Sequence, residues 1–146
     1  MSTRRELPLS ATHLVRDNCL CLHVQRAARG LARRFDDVFR PLDLTHGQFS
    51  LLMSLNRPEP PTIGAVAELL AMDRTTLTAA LKPLERRGLV VAAAHPMDRR
   101  SRLLQLTPAG RALLSQAVPI WKATHAAVEA GLAEPDHLRN NLRALS

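Results

Sequence analysis

Residues 62–88 read TIGAVAELLAMDRTTLTAALKPLERRG, and this stretch decides the fold. Thr62 and Asp73 are residue types that cap helix N-termini, because their side-chain oxygens accept hydrogen bonds from free backbone amides. They predict one short helix over 63–70 and a second helix over 74–87. Two helices joined by a turn of three to four residues are typical of the helix-turn-helix motif.

The second of these helices has two different faces. Leu77, Leu81 and Leu84 recur at helical spacing, so they are predicted to face a core. The opposite face carries small hydroxyls and then cations, which suits a helix in the major groove of DNA, although a solvated face would look similar. The candidate DNA contacts in this motif are Thr62, Arg74, Thr75, Thr76, Thr78, Lys82 and Arg86.

A β-hairpin is predicted directly after the second helix. Residues 89–91 and 103–106 are apolar strand-like segments, and the polar segment 95–101 lies between them. Arginine on such a thin projection can enter the minor groove, where the negative potential is deep. The predicted wing contacts are Asp98, Arg99, Arg100 and Arg102, with Asp98 expected to orient one guanidinium through a bidentate bond.

Helical patterns flank the motif on both sides. Leu14, Cys21, Ala28 and Phe35 recur every seven residues, which predicts one long helix over 14–39 with a narrow apolar seam. Thr45 and Gln48 have the spacing of a capping box, and Thr107-Pro108 is a cap followed by proline at the first helical position. Leu138, Leu142 and Leu145 form one stripe on a last helix, so both ends of the chain need apolar partners.

The composition agrees with a nucleic-acid partner. The chain has 20 Lys and Arg against 13 acidic residues, for a formal net charge of +7. A basic balance favours a polyanion, because phosphate contacts release counterions, but charge alone does not exclude an acidic membrane surface. No apolar run is long enough to span a bilayer, and two cysteines are too few for a disulfide framework. We therefore expect a cytoplasmic protein without a membrane partner.

The chain resembles the MarR family of winged-helix regulators. The resemblance rests on Val66–Leu70 (VAELL), Leu77-Thr78, Leu84–Val90 (LERRGLV), Asp98–Ser101 (DRRS) and Leu106–Gly110 (LTPAG). It implies a homodimer that binds pseudo-palindromic double-stranded DNA, acts as a repressor, and is released by a small molecule or an oxidant. One departure is Pro83 inside the recognition helix, which removes a backbone hydrogen bond and predicts a kink.

The resemblance also implies a fold class and domain boundaries. The fold is expected to be mainly α-helical with a small β-hairpin: a winged helix-turn-helix with N- and C-terminal dimerisation helices. Residues 1–10 are expected to form a flexible arm, and 11–146 a single MarR-like domain. Within it, 11–44 and 108–146 would be dimerisation helices and 45–107 the DNA-binding lobe.

The segment around Cys19 and Cys21 resembles the organic-hydroperoxide-sensing branch of the family. That resemblance implies that Cys21, more than Cys19, is the redox-sensing position, while core packing of Cys21 is an equal alternative. A Cys19–Cys21 disulfide is not expected, because residues two apart on one helix point to different sides. The resemblance further implies an effector pocket, to which we assign Val24, His46, Phe49, Met53 and Trp121.

Two other classes of function stay open at this point. One is a small thiol-based redox enzyme that uses Cys21, and the other is a protein-interaction module built on the same fold. No catalytic constellation, cofactor motif or metal-ligand spacing supports an enzyme. We therefore expect no enzymatic activity, no cofactor and no metal.

Overall fold

A computed structural model describes residues 6–146, which form seven α-helices, one short 3₁₀ helix and a two-stranded sheet. The contacts divide the chain into two units, of which the first ends at Arg34 and the second runs from Phe35 to Ser146. The helices are α1 Leu9–Asn18, α2 Leu20–Phe39, α3 His46–Ser54, α4 Ile63–Leu69, α5 Arg74–Arg86, α6 Pro108–Ala130 and α7 Pro135–Arg143, with the 3₁₀ helix at Arg40–Leu42. The strands are β1 Val90–Ala94 and β2 Arg102–Leu106.

The second unit contains the predicted winged helix-turn-helix. The helices α4 and α5 are joined by a tight turn in which Ala71 adopts a positive φ of 52°. The strands β1 and β2 pair antiparallel, with Val90 opposite Leu106 and Ala94 opposite Arg102. The amide of Leu104 also donates to the Pro61 carbonyl oxygen at 2.9 Å, so the hairpin is fastened to the segment before α4.

The core of this unit is mainly aliphatic and includes the buried face of α5. Leu77, Leu81 and Leu84 are buried on one face of that helix, as the leucine spacing predicted. They belong to the same buried cluster as Leu52, Leu104 and other apolar side chains of α3, the hairpin and α6. Burial of each such side chain contributes about 1.5–3 kcal/mol to folding, so this cluster fixes the orientation of α5.

The predicted helix caps are present. Thr45 and Gln48 form the complete capping box of α3, and the side chains of Thr62, Asp73 and Thr107 each accept a backbone amide at the start of α4, α5 and α6. Each cap is worth about 1 kcal/mol. These polar side chains, read from sequence spacing alone, therefore set where four helices begin.

The junction between α5 and α6 depends on a close backbone approach. A Cβ on Gly110 would lie 2.3 Å from the Leu89 carbonyl oxygen, so no larger residue fits there. The hydroxyl of Thr107 donates to the Gly88 carbonyl oxygen at 2.6 Å, and Gly88 has a positive φ of 70°. The base of the wing is thus fixed to the end of α5.

The N-terminal unit differs from the sequence prediction. A single helix over 14–39 was expected, but α1 ends at Asn18 and α2 begins at Leu20, with Cys19 extended between them at φ −69° and ψ 109°. Local hydrogen bonds stabilise the break. The side-chain amide of Asn18 donates to the Leu14 carbonyl oxygen, and the Cys19 Sγ accepts a hydrogen bond from the backbone amide of Leu22. Side chains that bond to nearby backbone compete with a continuous helix.

The end of the predicted N-terminal arm is helical. Helix α1 begins at Leu9, so residues 9 and 10 are helical, and residues 1–5 of the predicted arm lie outside the described part of the chain. The apolar residues of this unit are largely exposed; the exposed fraction of Leu14 is 64%. Leu14 and Cys21 belong to different helices, so the predicted seam is not a feature of one helix.

The last two helices leave a second exposed apolar stripe. Leu138, Leu142 and Leu145 are 42%, 41% and 60% exposed. Arg139 connects α7 to α6 through a hydrogen bond to Glu129, and it also donates to Asp136 within α7. Within residues 6–146, no helix combines the length and the apolar character that crossing a bilayer requires.

Candidate nucleic-acid interface

The exposed face of α5 gathers most of the predicted base and phosphate contacts. Arg74, Thr75, Thr78, Ala79 and Lys82 line one shallow depression on this face. The buried leucines of α5 lie on the other side of the helix. Arg86 and Thr76 are also exposed, whereas Thr62 is partly buried at the start of α4.

Thr76 and Thr78 of α5 have different side-chain hydrogen bonds. The Thr76 hydroxyl donates to Asp73 Oδ2 at 2.7 Å, and the Thr78 hydroxyl donates to the Arg74 carbonyl oxygen at 2.8 Å. The backbone amide and then the hydroxyl of Thr76 hold the pKa of Asp73 below its ordinary value. Thr76 therefore has a structural role in the cap that sequence reasoning had not assigned to it.

The hydrogen bonds of the wing turn differ from the prediction for Asp98. Asp98 was expected to hold a guanidinium, but its Oδ1 accepts the backbone amide of Arg100 at 3.0 Å. His95 Nδ1 accepts hydrogen bonds from the backbone amides of Met97 and Asp98, and these bonds further stabilise the turn. An aspartate that bonds the backbone two residues on is a common turn element. Asp98 thus shapes the wing and leaves its arginines to solvent.

Salt bridges leave the cations of α5 and the wing without acidic partners within residues 6–146. Every salt bridge of the described residues lies outside α4, α5 and the hairpin, in α1, in α6–α7 and in the segment 36–46. We call the six cations of α5 and the wing the basic face. It consists of Arg74, Lys82, Arg86, Arg99, Arg100 and Arg102, all of which are exposed. A surface of unpaired cations on a projecting helix and hairpin fits the phosphates of DNA.

A second feature is an apolar cavity of about 590 Å³ between α3 and α6, which we call the α3–α6 cavity. It brings together three of the five predicted effector residues, Phe49, Met53 and Trp121. His46 instead bonds Asp36 through both its amide and its Nδ1, at 2.7 and 2.9 Å, and Val24 is not among the lining residues. The full lining is Phe49, Ser50, Met53, Ser54, Leu69, Leu70, Val118, Trp121 and Lys122.

Sequence reasoning missed Lys122 at this cavity. It adjoins Trp121 in the sequence, and it is one of only two lysines in a chain whose other 18 basic residues are arginine. The indole of Trp121 stacks on Phe49 with ring centroids 6.4 Å apart, and Phe49 stacks on Phe39 at 4.9 Å. The cavity therefore presents aromatic surface with one cation among its lining residues.

The cysteines lie at the break between α1 and α2. Cys21 is exposed and Cys19 partly so, and the Gln25 side-chain amide donates to Cys21 Sγ at 3.1 Å. Core packing of Cys21 within the chain was the alternative, and its exposure does not fit that role. The argument against a Cys19–Cys21 disulfide assumed that both residues lie on one helix, and the extended backbone of Cys19 removes that premise.

Comparison with known proteins identifies the family. A sequence model of the MarR family matches residues 44–101. The organic hydroperoxide resistance transcriptional regulator of Bacillus subtilis is 32% identical over 108 residues, which cover 74% of this chain and 74% of the relative. The chain belongs to the MarR family. The predicted fold class, a mainly helical winged helix-turn-helix with one hairpin, is confirmed.

Two solved structures extend the likeness of this MarR-family chain. The transcriptional regulator MosR of M. tuberculosis in complex with DNA is 36% identical, with a TM-score of 0.82, and the match covers 88% of this chain and 93% of that one. BpsR of Bordetella bronchiseptica, whose DNA binding is regulated by 6-hydroxynicotinic acid, is 28% identical with a TM-score of 0.77, covering 86% and 91%.

Family membership confirms the predicted function and partners at the level of the family. MarR-family proteins are DNA-binding transcriptional regulators, and they act as dimers on palindromic operators. The chain is thus a transcriptional regulator whose partners are double-stranded DNA and a second copy of itself. The domain boundaries and the individual contact residues stay predictions.

Proposed function

We propose that this regulator is a repressor that binds a pseudo-palindromic operator through the basic face. In this proposal α5 lies in the major groove and the wing reaches the adjacent minor groove. The observation that carries it is the α5 depression, where Arg74, Thr75, Thr78 and Lys82 lie together on the exposed face of the helix and no salt bridge within residues 6–146 neutralises the two cations. Unpaired arginines can bind phosphate without first breaking an internal ion pair.

The residues divide between two roles in this proposal. Lys82, Arg86 and the wing arginines contact phosphates or the minor groove, which positions the protein. Thr75 and Thr78 contact base edges, with Arg74 at the side of the helix. Thr62 and Thr76 act mainly by stabilising helix starts. The Thr62 hydroxyl oxygen accepts a hydrogen bond from the Ala65 amide at the start of α4, and Thr76 bonds the Asp73 carboxylate at the start of α5. Asp98 acts by holding the wing turn.

Salt dependence of DNA binding tests the basic face directly. We expect the affinity for a duplex to fall linearly in a plot of log affinity against log salt, with a slope that reports the number of neutralised phosphates. Replacing Lys82 and Arg100 together by glutamine should reduce the magnitude of the slope by the contribution of about two neutralised phosphates. An unchanged slope and affinity in a folded variant would contradict the assignment. The matched control is Arg57→Gln, in the loop before α4 and outside both the basic face and the terminal helices.

The dimer is proposed to form through the terminal helices, with 11–44 and 108–146 as dimerisation segments and 45–107 as the DNA-binding lobe. Support comes from the exposed leucines of α1 and α7, such as Leu14 and Leu142. Apolar side chains at this density are seldom left in water. A second copy would bury them and bring two α5 helices to successive major grooves.

The α3–α6 cavity is proposed to hold an aromatic acid that releases the DNA. Trp121 and Phe49 offer stacking surface, and Lys122 offers a cation for a carboxylate. The regulation of BpsR by 6-hydroxynicotinic acid supports this ligand class. In this mechanism the ligand favours a dimer whose α5 helices no longer match the operator, so ligand and DNA weaken each other's binding by the same factor.

Oxidation at Cys21 is proposed as a second signal, with Cys21 more important than Cys19. The organic hydroperoxide regulator of Bacillus subtilis supports an oxidant response, and the exposure of Cys21 gives a peroxide access. The Cys21 sulfur would attack the peroxide, whose O–O bond breaks; the sulfur is oxidised to a sulfenic acid and an alcohol leaves.

Peroxide treatment of three proteins tests this signal. DNA affinity is measured before and after cumene hydroperoxide for wild type, Cys19→Ser and Cys21→Ser, and mass spectrometry identifies the product. We expect wild type and Cys19→Ser to lose affinity and Cys21→Ser to keep it. If wild type keeps its affinity, or if only a Cys19–Cys21 disulfide requiring both residues causes the loss, the leading role of Cys21 is wrong.

We further propose that the chain acts by binding and has no catalytic turnover, because its relatives are transcriptional regulators. Repeated turnover of peroxide by the purified protein would contradict this. We also propose that the chain works in the cytoplasm, as is expected of a transcriptional regulator of this family.

A further inference from the structure

Gly64 on α4 lies directly beneath the side chain of Arg74, the first residue of α5. A Cβ atom placed on Gly64 would lie 2.7 Å from Arg74 Nη2, 3.3 Å from Cζ and 3.7 Å from Nε. The guanidinium therefore occupies the space that a side chain at position 64 would take. This contact joins the two helices of the DNA-binding motif at a residue of the basic face.

The glycine is not required by the backbone. Gly88 adopts a positive φ and Gly110 meets the Leu89 carbonyl oxygen, so both have backbone reasons to be glycine. Gly64 has neither feature, and glycine inside a helix costs roughly 0.5–1 kcal/mol relative to alanine. What distinguishes Gly64 is the guanidinium group that lies against it.

Arg74 is a side chain whose direction matters for DNA. It is exposed, has no salt bridge with any residue of 6–146, and lines the α5 depression together with Thr75, Thr78 and Lys82. A free arginine side chain samples many rotamers, and ordering it on binding has an entropic cost. A guanidinium that packs against a neighbouring glycine would have less of that freedom to lose when DNA binds.

We infer that Gly64 is a positioning residue for DNA binding, which holds the Arg74 guanidinium in the direction of the DNA. This inference rests on the proposed function and deepens it. The group that an alanine at position 64 would meet is the far end of a flexible side chain, so the fold can accept the methyl group while the guanidinium must move. Gly64→Ala should therefore change DNA binding without unfolding the protein.

A double-mutant cycle tests this inference. Wild type, Gly64→Ala, Arg74→Ala and the double variant are titrated with an operator duplex selected from random DNA, and folding is checked by circular dichroism and thermal melting. We expect Gly64→Ala to weaken binding about 3- to 10-fold, and to have no further effect once Arg74 is alanine. Gly47→Ala is the matched control on α3, because a Cβ there meets nothing within 4 Å.

Three results would overturn the inference: wild-type affinity in Gly64→Ala, additive losses in the double variant, or no effect of Arg74→Ala. The last result leaves the proposed function intact if Lys82→Ala and Arg100→Ala still lose affinity, so the two failures are distinguishable. If Gly64→Ala fails to fold, Arg74→Lys decides instead. Lysine keeps the charge but lacks the planar group that lies on Gly64, so wild-type affinity in that variant would also overturn the inference.

Discussion

The indole of Trp121 lies face to face with the imidazole of His125, with ring centroids 4.5 Å apart and planes inclined by 17°. Trp121 is the chain's only tryptophan and also lines the α3–α6 cavity. Phe49 also stacks on the indole, with ring centroids 6.4 Å apart. The intrinsic fluorescence of the protein therefore reports on the region where we propose that an effector binds.

We expect aromatic carboxylic acids to quench this fluorescence and to release DNA over the same concentration range. The probes are 6-hydroxynicotinic acid and benzoic acid, titrated into the free protein and into its DNA complex. Lys122→Gln should weaken the response because the carboxylate loses its cation, whereas Lys122→Arg should largely retain it. Quenching that is identical in Lys122→Gln would show that Lys122 does not contact the acid.

Arg100→Ala should weaken DNA binding and leave the fold intact. Arg100 is exposed at the wing turn. Its backbone amide donates a hydrogen bond to Asp98 Oδ1, and a change of the side chain does not remove that bond. The lost contact should cost about 1–3 kcal/mol of binding free energy. Affinity is measured by mobility shift and folding by circular dichroism. Unchanged affinity in a folded variant would contradict the role of the wing.

Thr78→Ala and Lys82→Ala should affect DNA binding in different ways. Thr78 faces the α5 depression, so its loss should change the preferred sequence; Lys82 should contact phosphate, so its loss should weaken all sequences and flatten the salt dependence. The measurement is binding of each variant to a panel of operator sequences at several salt concentrations. Equal, sequence-independent losses in both variants would refute this division.

The cap of α5 predicts a pH dependence of stability. Because Thr76 hydrogen bonds lower the pKa of Asp73 below its ordinary 3.8, the ionised carboxylate stabilises the fold. That stabilisation is complete above the ordinary pKa and is lost as pH falls through the lowered one. In urea titrations, the advantage of wild type over Asp73→Asn should shrink from about pH 5 to about pH 2. The control is Glu59→Gln in the loop before α4, and a constant difference would contradict the role of the charge.

Deletion of residues 132–146 should disrupt the dimer. It removes α7 and the stripe of Leu138, Leu142 and Leu145, which is exposed in the single chain. We expect the truncated protein to aggregate or to sediment as a monomer with weak DNA binding, while the full chain sediments as a dimer. A compact full-length monomer at micromolar concentration would refute a dimer through the terminal helices.

Sequence was most informative where the structure depends on local chemistry. Asp73, Thr107 and the pair Thr45 and Gln48 are polar caps whose partners lie three residues away, so their spacing alone predicted where α5, α6 and α3 begin. The leucine spacing of α5 likewise predicted which face is buried, because a helix fixes the direction of every side chain.

Sequence was least informative where weak local bonds or tertiary contacts decide. The break at Cys19 contains neither proline nor glycine, and the apolar period continues across it, so the pattern predicted one helix. Asp98 was expected to hold a guanidinium, but its carboxylate bonds the backbone amide two residues on, which the spacing of charged residues does not show. Lys122 and Gly64 gain their roles only when α3 meets α6 and α4 meets α5, which a linear pattern does not show.

Operator binding by the basic face can be tested by selecting bound duplexes from a random DNA pool. We expect enrichment of an inverted repeat whose half-sites are centred about one helical turn apart, roughly 10–10.5 base pairs. The enrichment should disappear when Lys82 and Arg100 are both replaced by glutamine. Recovery of no preferred sequence by the folded wild-type protein, or of one unchanged by that double replacement, would contradict an operator-binding basic face.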